Sequence, residues 1–224
     1  MNVEPVKKRI LAANDEAARA NRAGFTAAGT LVLNLISSPG SGKTTLLAET
    51  ARRLDPGLRL GAIVGDVATE LDAGRLREAG LPAWQIVTGG SCHLDARMLA
   101  DALPKAGLGQ LDLLFVENVG NLVCPTSYDL GEDFKVALVS TTEGHDKPFK
   151  YPGIFSRADV TLITKLDLAP HVRFDLAAAR EQVLTLRPGA TVLEVSAQTG
   201  QGMESWCALL LERLEAKRAA AAPA

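Results

Sequence analysis

The sequence predicts one α/β domain, a mostly parallel sheet with helices on both faces, preceded by an N-terminal helix. Three observations lead there. Runs such as Leu31–Ile36 and Leu111–Val116 are apolar on consecutive residues, the pattern of strands covered on both sides. They alternate with segments whose apolar residues recur at helical spacing, as a sheet built from crossover helices requires. At 224 residues, 47% hydrophobic and 22% charged, the chain suits a single core of ordinary size.

Taken in order, Val6 to about Ala23 is rich in Ala, Arg, Lys and Glu with apolar residues at helical spacing, giving a helix within 1–28. The main domain spans 29–218. Its first strand starts at Leu31 and breaks at Ser37 into a Pro/Gly/Ser turn, and a helix over Thr45–Leu54 stops at Asp55-Pro56-Gly57. Leu58–Val64 is a second strand, followed by a helix over Thr69–Ala79 with Gly80 as its stop. Trp84–Val87 is a short strand, and Leu94–Leu103 is helical. Leu111–Val116 is a strand opening into a long loop, Asn118–Glu132. Val136–Ser140, Val160–Thr164 and Thr191–Val195 are the remaining strands. Ala177–Leu186 and the amphipathic Met203–Lys217 are helices, and 219–224 is a frayed tail.

A net charge of −2 implies no basic face, so no nucleic-acid partner is expected. No apolar run is long enough to span a bilayer, and the charged N-terminus lacks the apolar core of a secretory signal. Three cysteines leave an odd thiol. A cytoplasmic protein with reduced cysteines is expected, in which metal or redox roles outrank disulfides.

Ser37–Thr45, SSPGSGKTT, lies between a strand and a helix start, the arrangement of a P-loop. Gly40 and Gly42 let backbone N–H groups close around phosphate oxygens, with Pro39, Ser41 and Thr45 completing the loop. Lys43 supplies charge for the β- and γ-phosphates and Thr44 a hydroxyl for Mg²⁺. Ser37 stands where this pattern usually begins with glycine. Glu117 and Asp66 close two neighbouring strands and are the other expected Mg²⁺ ligands, Asp66 alternatively orienting water; Asp72 and Asp129 rank below them. Gly120, in Glu117-Asn118-Val119-Gly120, would offer its N–H to the γ-phosphate, as in the Asp-x-x-Gly switch of GTPases, which this stretch resembles. No glutamine stands where it would orient attacking water, so slow intrinsic hydrolysis is expected.

Thr164-Lys165-Leu166-Asp167 resembles the guanine-specificity motif of GTPases, usually Asn-Lys-x-Asp. The Asp167 carboxylate can accept hydrogen bonds from guanine N1–H and its exocyclic amine, whereas adenine presents an acceptor at N1. Lys165 would lay its stem over the base. Ser196-Ala197-Gln198 resembles the companion Ser-Ala-Lys loop, with Gln198 departing from lysine. Both elements follow a P-loop in chain order, which favours GTP over ATP.

Cys92-His93 follows a Gly-Gly-Ser turn, and Cys124 lies in the loop after another strand. Two thiolates and an imidazole suit Zn²⁺ or Ni²⁺, not Mg²⁺. Free cysteines are also commonly buried as small apolar side chains, so spacing alone leaves both readings open. Cys207 is expected in the core. His145 and His171 are expected in loops, with His145 able to join a metal site.

The segments SSPGSGKTTLL, GDVATELDAGRL, GGSCHLDARML, ENVGNLVCPTSYDLGE and TTEGHDKPFKYP together resemble the nickel-inserting GTPases of hydrogenase maturation, the HypB type. The resemblance implies a G domain of the SIMIBI class that dimerises with GTP. It implies a Ni²⁺ or Zn²⁺ site at Cys92, His93 and Cys124. It also implies cooperation with a companion nickel metallochaperone to load the large subunit of [NiFe]-hydrogenase. Two features of that family, an N-terminal Cys-x-x-Cys-type nickel motif and a His-rich tract, are missing, so delivery and not storage is expected. Three rivals remain: a urease-maturation GTPase, against which GGSCHLD and ENVGNLVCP argue; a non-catalytic metal-binding switch; and a nucleotide kinase, which the TKLD and VSAQ segments disfavour.

Overall fold

The computed structural model describes residues 3–67 and 70–221. Its order is α1 (Val3–Ala28), β1 (Leu31–Ser37), α2 (Lys43–Arg53), β2 (Leu60–Asp66), α3 (Leu71–Glu78), β3 (Ala83–Val87), α4 (Ala96–Ala102) and β4 (Leu113–Glu117), followed by β5 (Phe134–Ser140), the short α5 (Lys147–Lys150) and α6 (Pro152–Phe155), β6 (Val160–Thr164), α7 (Leu176–Leu186), β7 (Thr191–Glu194) and α8 (Met203–Ala221). Among the described residues the strands form one sheet, ordered β3-β2-β4-β1-β5-β6-β7, and every pair is parallel. The expected mostly parallel sheet is therefore wholly parallel.

Alternation along β1 divides its side chains between two layers. Leu31, Leu33 and Leu35 join Phe115, Leu46, Leu47 and Trp206 under α2, α3 and α8, while Val32 meets Phe25 of α1 and Leu99 of α4 on the opposite face. Trp206, Leu210 and Leu214 bring one face of α8 onto the sheet, and the Trp206 indole N–H donates to Thr50 Oγ1 of α2 at 2.9 Å. Cys207 belongs to this core. Further along the second face, Ile36 packs with Phe155, Ala179 and Val183, bringing in α6 and α7. No helix among the described residues is long and apolar enough to cross a membrane.

From β1 the chain crosses to β2 on one side, and from β4 it crosses over β1 to β5 on the other. That reversal opens a crevice at the carboxyl ends of β1 and β4, where ligands of parallel sheets bind.

Several boundaries differ from the sequence reading. β2 starts two residues later than expected because the Arg59 N–H donates to the Asp112 carboxylate, and its register with β4 begins at Leu60 opposite Leu113. Asp66 is consequently the last residue of the strand. The predicted start of α3 at Thr69 lies outside the described residues. The loop after β4 contains a 3₁₀ turn, Cys124–Ser127, and α5 and α6, each with a proline in its first turn, fill a stretch that carried no prediction. α8 continues to Ala221, past the expected start of the tail, with Lys217 and Arg218 bonded to Asp133 and Asp112. Residues 222–224 of that expected tail lie outside the described residues.

Candidate functional site

The crevice holds a cleft of about 520 Å³ lined by Pro39, Gly40, Gly42, Lys43, Thr44, Thr45, Asp66, Glu117 and Gly120. Gly42 takes a left-handed conformation, φ 94°, and so turns the chain into α2 at Lys43. Lys43 is buried and its ammonium donates to Ser37 Oγ at 2.9 Å, so the residue that departs from the usual glycine holds the lysine in place. Burial pushes the Lys43 pKa down, opposed chiefly by the Glu117 carboxylate.

Glu117 is buried at the end of β4, where its Oε1 accepts from Thr44 Oγ1 at 2.9 Å. Its second oxygen is buried without a hydrogen-bond partner. Burial raises its pKa to about 7 against the pull of Lys43 and the Thr44 hydroxyl. An unpartnered carboxylate oxygen beside a hydroxyl, with Asp66 on the same cleft, is the hard oxygen donor set that Mg²⁺ takes, so these residues fit that ion. Asp72 also lines the cleft. Asp129 does not: its carboxylate pairs with Arg22 of α1 at 2.7 Å, which removes it as a cation ligand.

A second hollow, of about 220 Å³, adjoins the P-loop and is lined by Ser41, Gly42, Thr45, Thr164, Lys165, Asp167, Ala197 and Gln198. Lys165 sits at φ 57°, an uncommon backbone state for a residue with a side chain, and its carbonyl accepts from Thr141 Oγ1 at 2.8 Å. Buried Ser196 donates to Asp167 Oδ1 at 2.5 Å and so aims the carboxylate. Thr164 is tied elsewhere, its hydroxyl donating to the Ser41 carbonyl at 2.7 Å, and it supports the P-loop from below.

Cys92, His93 and Cys124 converge. Their ligand atoms lie within 4.8 Å of one another, and Cys92 Sγ is 3.7 Å from His93 Nδ1. Hydrogen bonding with Cys124 and burial raise the Cys92 pKa, and burial lowers that of His93. Both shifts favour neutral groups in the absence of a cation. Tyr128 stacks on the His93 ring with centroids 3.9 Å apart. His145 does not join the cluster, because its ring packs edge-on against Phe174, beyond β5. His171 closes the turn after β6.

Sequence reasoning missed the residues joining these sites. Asn118 Oδ1 accepts from the N–H groups of Leu94 and Val119, both at 3.0 Å, linking the end of β4 to the segment beside His93. Asn121 Oδ1 accepts from Val123 N at 2.8 Å, and its amide reaches the Cys92 carbonyl at 3.4 Å. Gly120 lies so close to the P-loop that a Cβ would stand 2.9 Å from Pro39 Cγ. Glu143 braces the P-loop from behind, accepting from Ser41 Oγ at 2.9 Å and Ser140 N at 2.8 Å. That last role had a signal, since Ser140-Thr141-Thr142-Glu143 is a capping box. The asparagines carried none.

Residues 31–194 match the CobW/HypB/UreG nucleotide-binding domain family. The chain is 50% identical over 215 residues to hydrogenase maturation factor HypB of Escherichia coli (strain K12), an alignment covering 94% of this chain and 71% of that protein. Among solved structures, HypB from Helicobacter pylori in complex with nickel superposes with a TM-score of 0.85 at 39% identity, covering 90% of this chain and 95% of that one. HypB from Archaeoglobus fulgidus gives a TM-score of 0.85 at 40% identity, covering 91% and 100%.

Proposed function

Because the chain belongs to the CobW/HypB/UreG family, and within it groups with the hydrogenase maturation factors HypB, we propose that it is a GTP-hydrolysing metallochaperone. It binds and releases Ni²⁺, or Zn²⁺, during maturation of [NiFe]-hydrogenase. The P-loop amides and Lys43 hold the phosphates, with Pro39, Gly40, Ser41, Gly42 and Thr45 shaping the cradle. Asp167 reads the N1–H and amine of guanine, Lys165 covers the base, and the Ala197–Gln198 backbone meets O6. Thr44, Glu117 and Asp66 are the residues that would hold Mg²⁺. That ion, when bound, neutralises charge on the β- and γ-phosphates. No glutamine stands among the residues lining the phosphate cleft, which supports slow turnover by the lone subunit.

One observation carries the coupling of nucleotide to metal: a single loop touches both sites. Gly120 presses on Pro39, and Cys124 follows four residues later beside Cys92 and His93. Release of the γ-phosphate would free the Gly120 end of that loop and displace one thiolate from the other two ligands. Three protein ligands leave a coordination position for water or a donor from a second subunit. Val67 and Leu71, exposed near the phosphate cleft, and Val123, beside Cys124, support GTP-dependent pairing of two chains. A companion nickel metallochaperone is the proposed partner in loading the hydrogenase large subunit.

Nickel titration of the purified protein tests this. Affinity in GDP and in a non-hydrolysable GTP analogue should differ by about 5–150-fold. Cys92→Ala and Cys124→Ala should abolish the site and leave GTP binding intact. Equal affinities in the two nucleotide states would refute the coupling.

A further inference from the structure

The three soft ligands arrive on two loops, Cys124 standing 31 positions after His93, so something must fix the gap between them. Part of the answer lies on a helix that contributes no ligand. Asn14 and Asn21, seven residues apart and so on one face of α1, both bridge the two loops. Asn14 Oδ1 accepts from Ala96 N at 2.9 Å, while its amide donates to the Asp129 carbonyl at 2.8 Å. The Asn21 amide donates to the carbonyls of Ala96 at 2.9 Å and Leu130 at 3.0 Å. Ala96 opens α4 three residues after His93, and Asp129 and Leu130 come five and six residues after Cys124.

Asn14 is only 4% exposed, and both ends of its amide are used. The Ala96 N–H is one of the donors that the start of a helix leaves without an internal partner, and an α1 side chain supplies that partner. A separate feature fixes the approach of the second loop. Gly131, at φ 90°, lies so near α1 that a Cβ would meet the Ala18 carbonyl oxygen and Asn21 Cβ at 2.7 Å. The loop beyond Cys124 is thus seated directly on the helix backbone. Arg22 secures the same loop through Asp129.

We propose that Asn14 and Asn21 are positioning residues for the soft-metal site, spacing the Cys92–His93 arm from the Cys124 arm by tying Ala96 to Asp129 and Leu130. The proposal rests on the metal reading of the three ligands. Without the two asparagines, the Asn118 and Asn121 links still join the arms near the nucleotide and Arg22 still holds Asp129, but Ala96 is no longer tied to the second loop and the ligand geometry loosens.

The test measures Ni²⁺ affinity and the nickel–thiolate charge-transfer absorption of the full chain, in wild type, Asn14→Ala, Asn14→Asp and Asn21→Ala. Asn14 bonds backbone groups three and five residues from the ligands and not the ligands themselves, so Asn14→Ala should weaken nickel by less than the ~10–100-fold typical of a ligand's own hydrogen-bond partner, and should change the absorption band. Asn14→Asp keeps the acceptor for Ala96 N but sets an acceptor against the Asp129 carbonyl, so it too should weaken nickel. GTP-analogue affinity should stay unchanged. Asp112→Asn, at the opposite end of the strands, serves as a variant that lowers the melting temperature and should leave nickel binding untouched. Should Asn14→Ala not fold, Asn14→Asp and Asn21→Ala must still weaken nickel relative to Asp112→Asn. Wild-type nickel binding by the asparagine variants, with binding lost in Cys92→Ala and Cys124→Ala, overturns the brace and spares the metal reading. Wild-type binding by the cysteine variants overturns both.

Discussion

Two serines hold the charged side chains that line the cleft and its neighbouring hollow. The Ser37 hydroxyl replaces a glycine hydrogen and holds the Lys43 ammonium, so an unpaired buried cation is avoided before any phosphate arrives. Ser196 does the corresponding work at Asp167, the residue proposed to select the base, by pinning one of its oxygens. In the proposed complex both oxygens retain lone pairs for guanine N1–H and its amine, and a carboxylate has no donor to offer. Asp167→Asn converts one acceptor into a donor that faces the guanine exocyclic amine. Losing hydrogen bonds to a charged group costs about 1.5–3 kcal/mol, so GTP affinity should fall ~10–150-fold. Xanthosine nucleotides, which present a carbonyl in place of the amine, should bind better than GTP to this variant. Competition of labelled nucleotide against GTP and XTP measures both, and an unchanged preference for GTP would remove Asp167 from base selection. Lys43 and Asp167 were legible in the sequence, because P-loop and TKLD chemistry forces residue types into fixed spacings. The holding partners were harder to see. Thr164, in the place of the motif's usual asparagine, lines the hollow and supports the P-loop through the Ser41 carbonyl, a partner 123 residues away that the motif alone does not announce.

At the scale of elements, the strands were read from runs of consecutive apolar residues, and errors fell where a polar side chain replaced the ladder. Asp112 is the clearest instance. Standing just before β4, it accepts from the Arg59 backbone and guanidinium ahead of β2 and from Arg218 near the end of α8. One carboxylate therefore fixes two strand starts and the last turn of a helix, which no local pattern announces. The Arg59 guanidinium, first among several donors, holds its carboxyl well below the usual carboxylate range. A depressed folded-state pKa contributes stability that is complete above the unfolded value and is lost as pH falls through the folded one. Asp112→Asn should therefore cost about 1–3 kcal/mol near neutral pH, a melting shift of ~2–10 °C. The gap between variant and wild type should hold constant above about pH 5 and narrow below about pH 4. Thermal melts across that range check the sign. A gap that widens in acid would show that some other group carries the effect. The helix α1 was expected from its periodicity, but its use was not, because Asn14 and Asn21 reach partners 75 to 115 residues away.

Across the whole molecule, a buried polar chain crosses the apolar layer between the sheet and α1. Lys135 pairs with Glu132, Glu132 accepts from Asn34 at 3.4 Å, and Asn34 accepts from Asn118 at 3.1 Å. Asn118 then accepts from Leu94 N beside the proposed metal ligands and from Val119 N beside Gly120. Buried amides are tolerated only when paired, so this chain has few ways to rearrange, and a shift at Val119 must pull on Leu94. Linkage then requires that nickel change GTP-analogue affinity by the same factor by which the analogue changes nickel affinity. Asn118→Ala cuts the shared acceptor while leaving each site's own ligands in place. It should cost about 1–3 kcal/mol in stability through the two N–H groups left unpaired. Nickel and nucleotide should each still bind, but the affinity ratio between GDP and analogue states should shrink toward one in both directions. Isothermal titration of each ligand in the presence and absence of the other closes that cycle. Full coupling in Asn118→Ala would move the path to Asn121, whose side chain touches the Cys92 carbonyl and Val123 N without passing through the core.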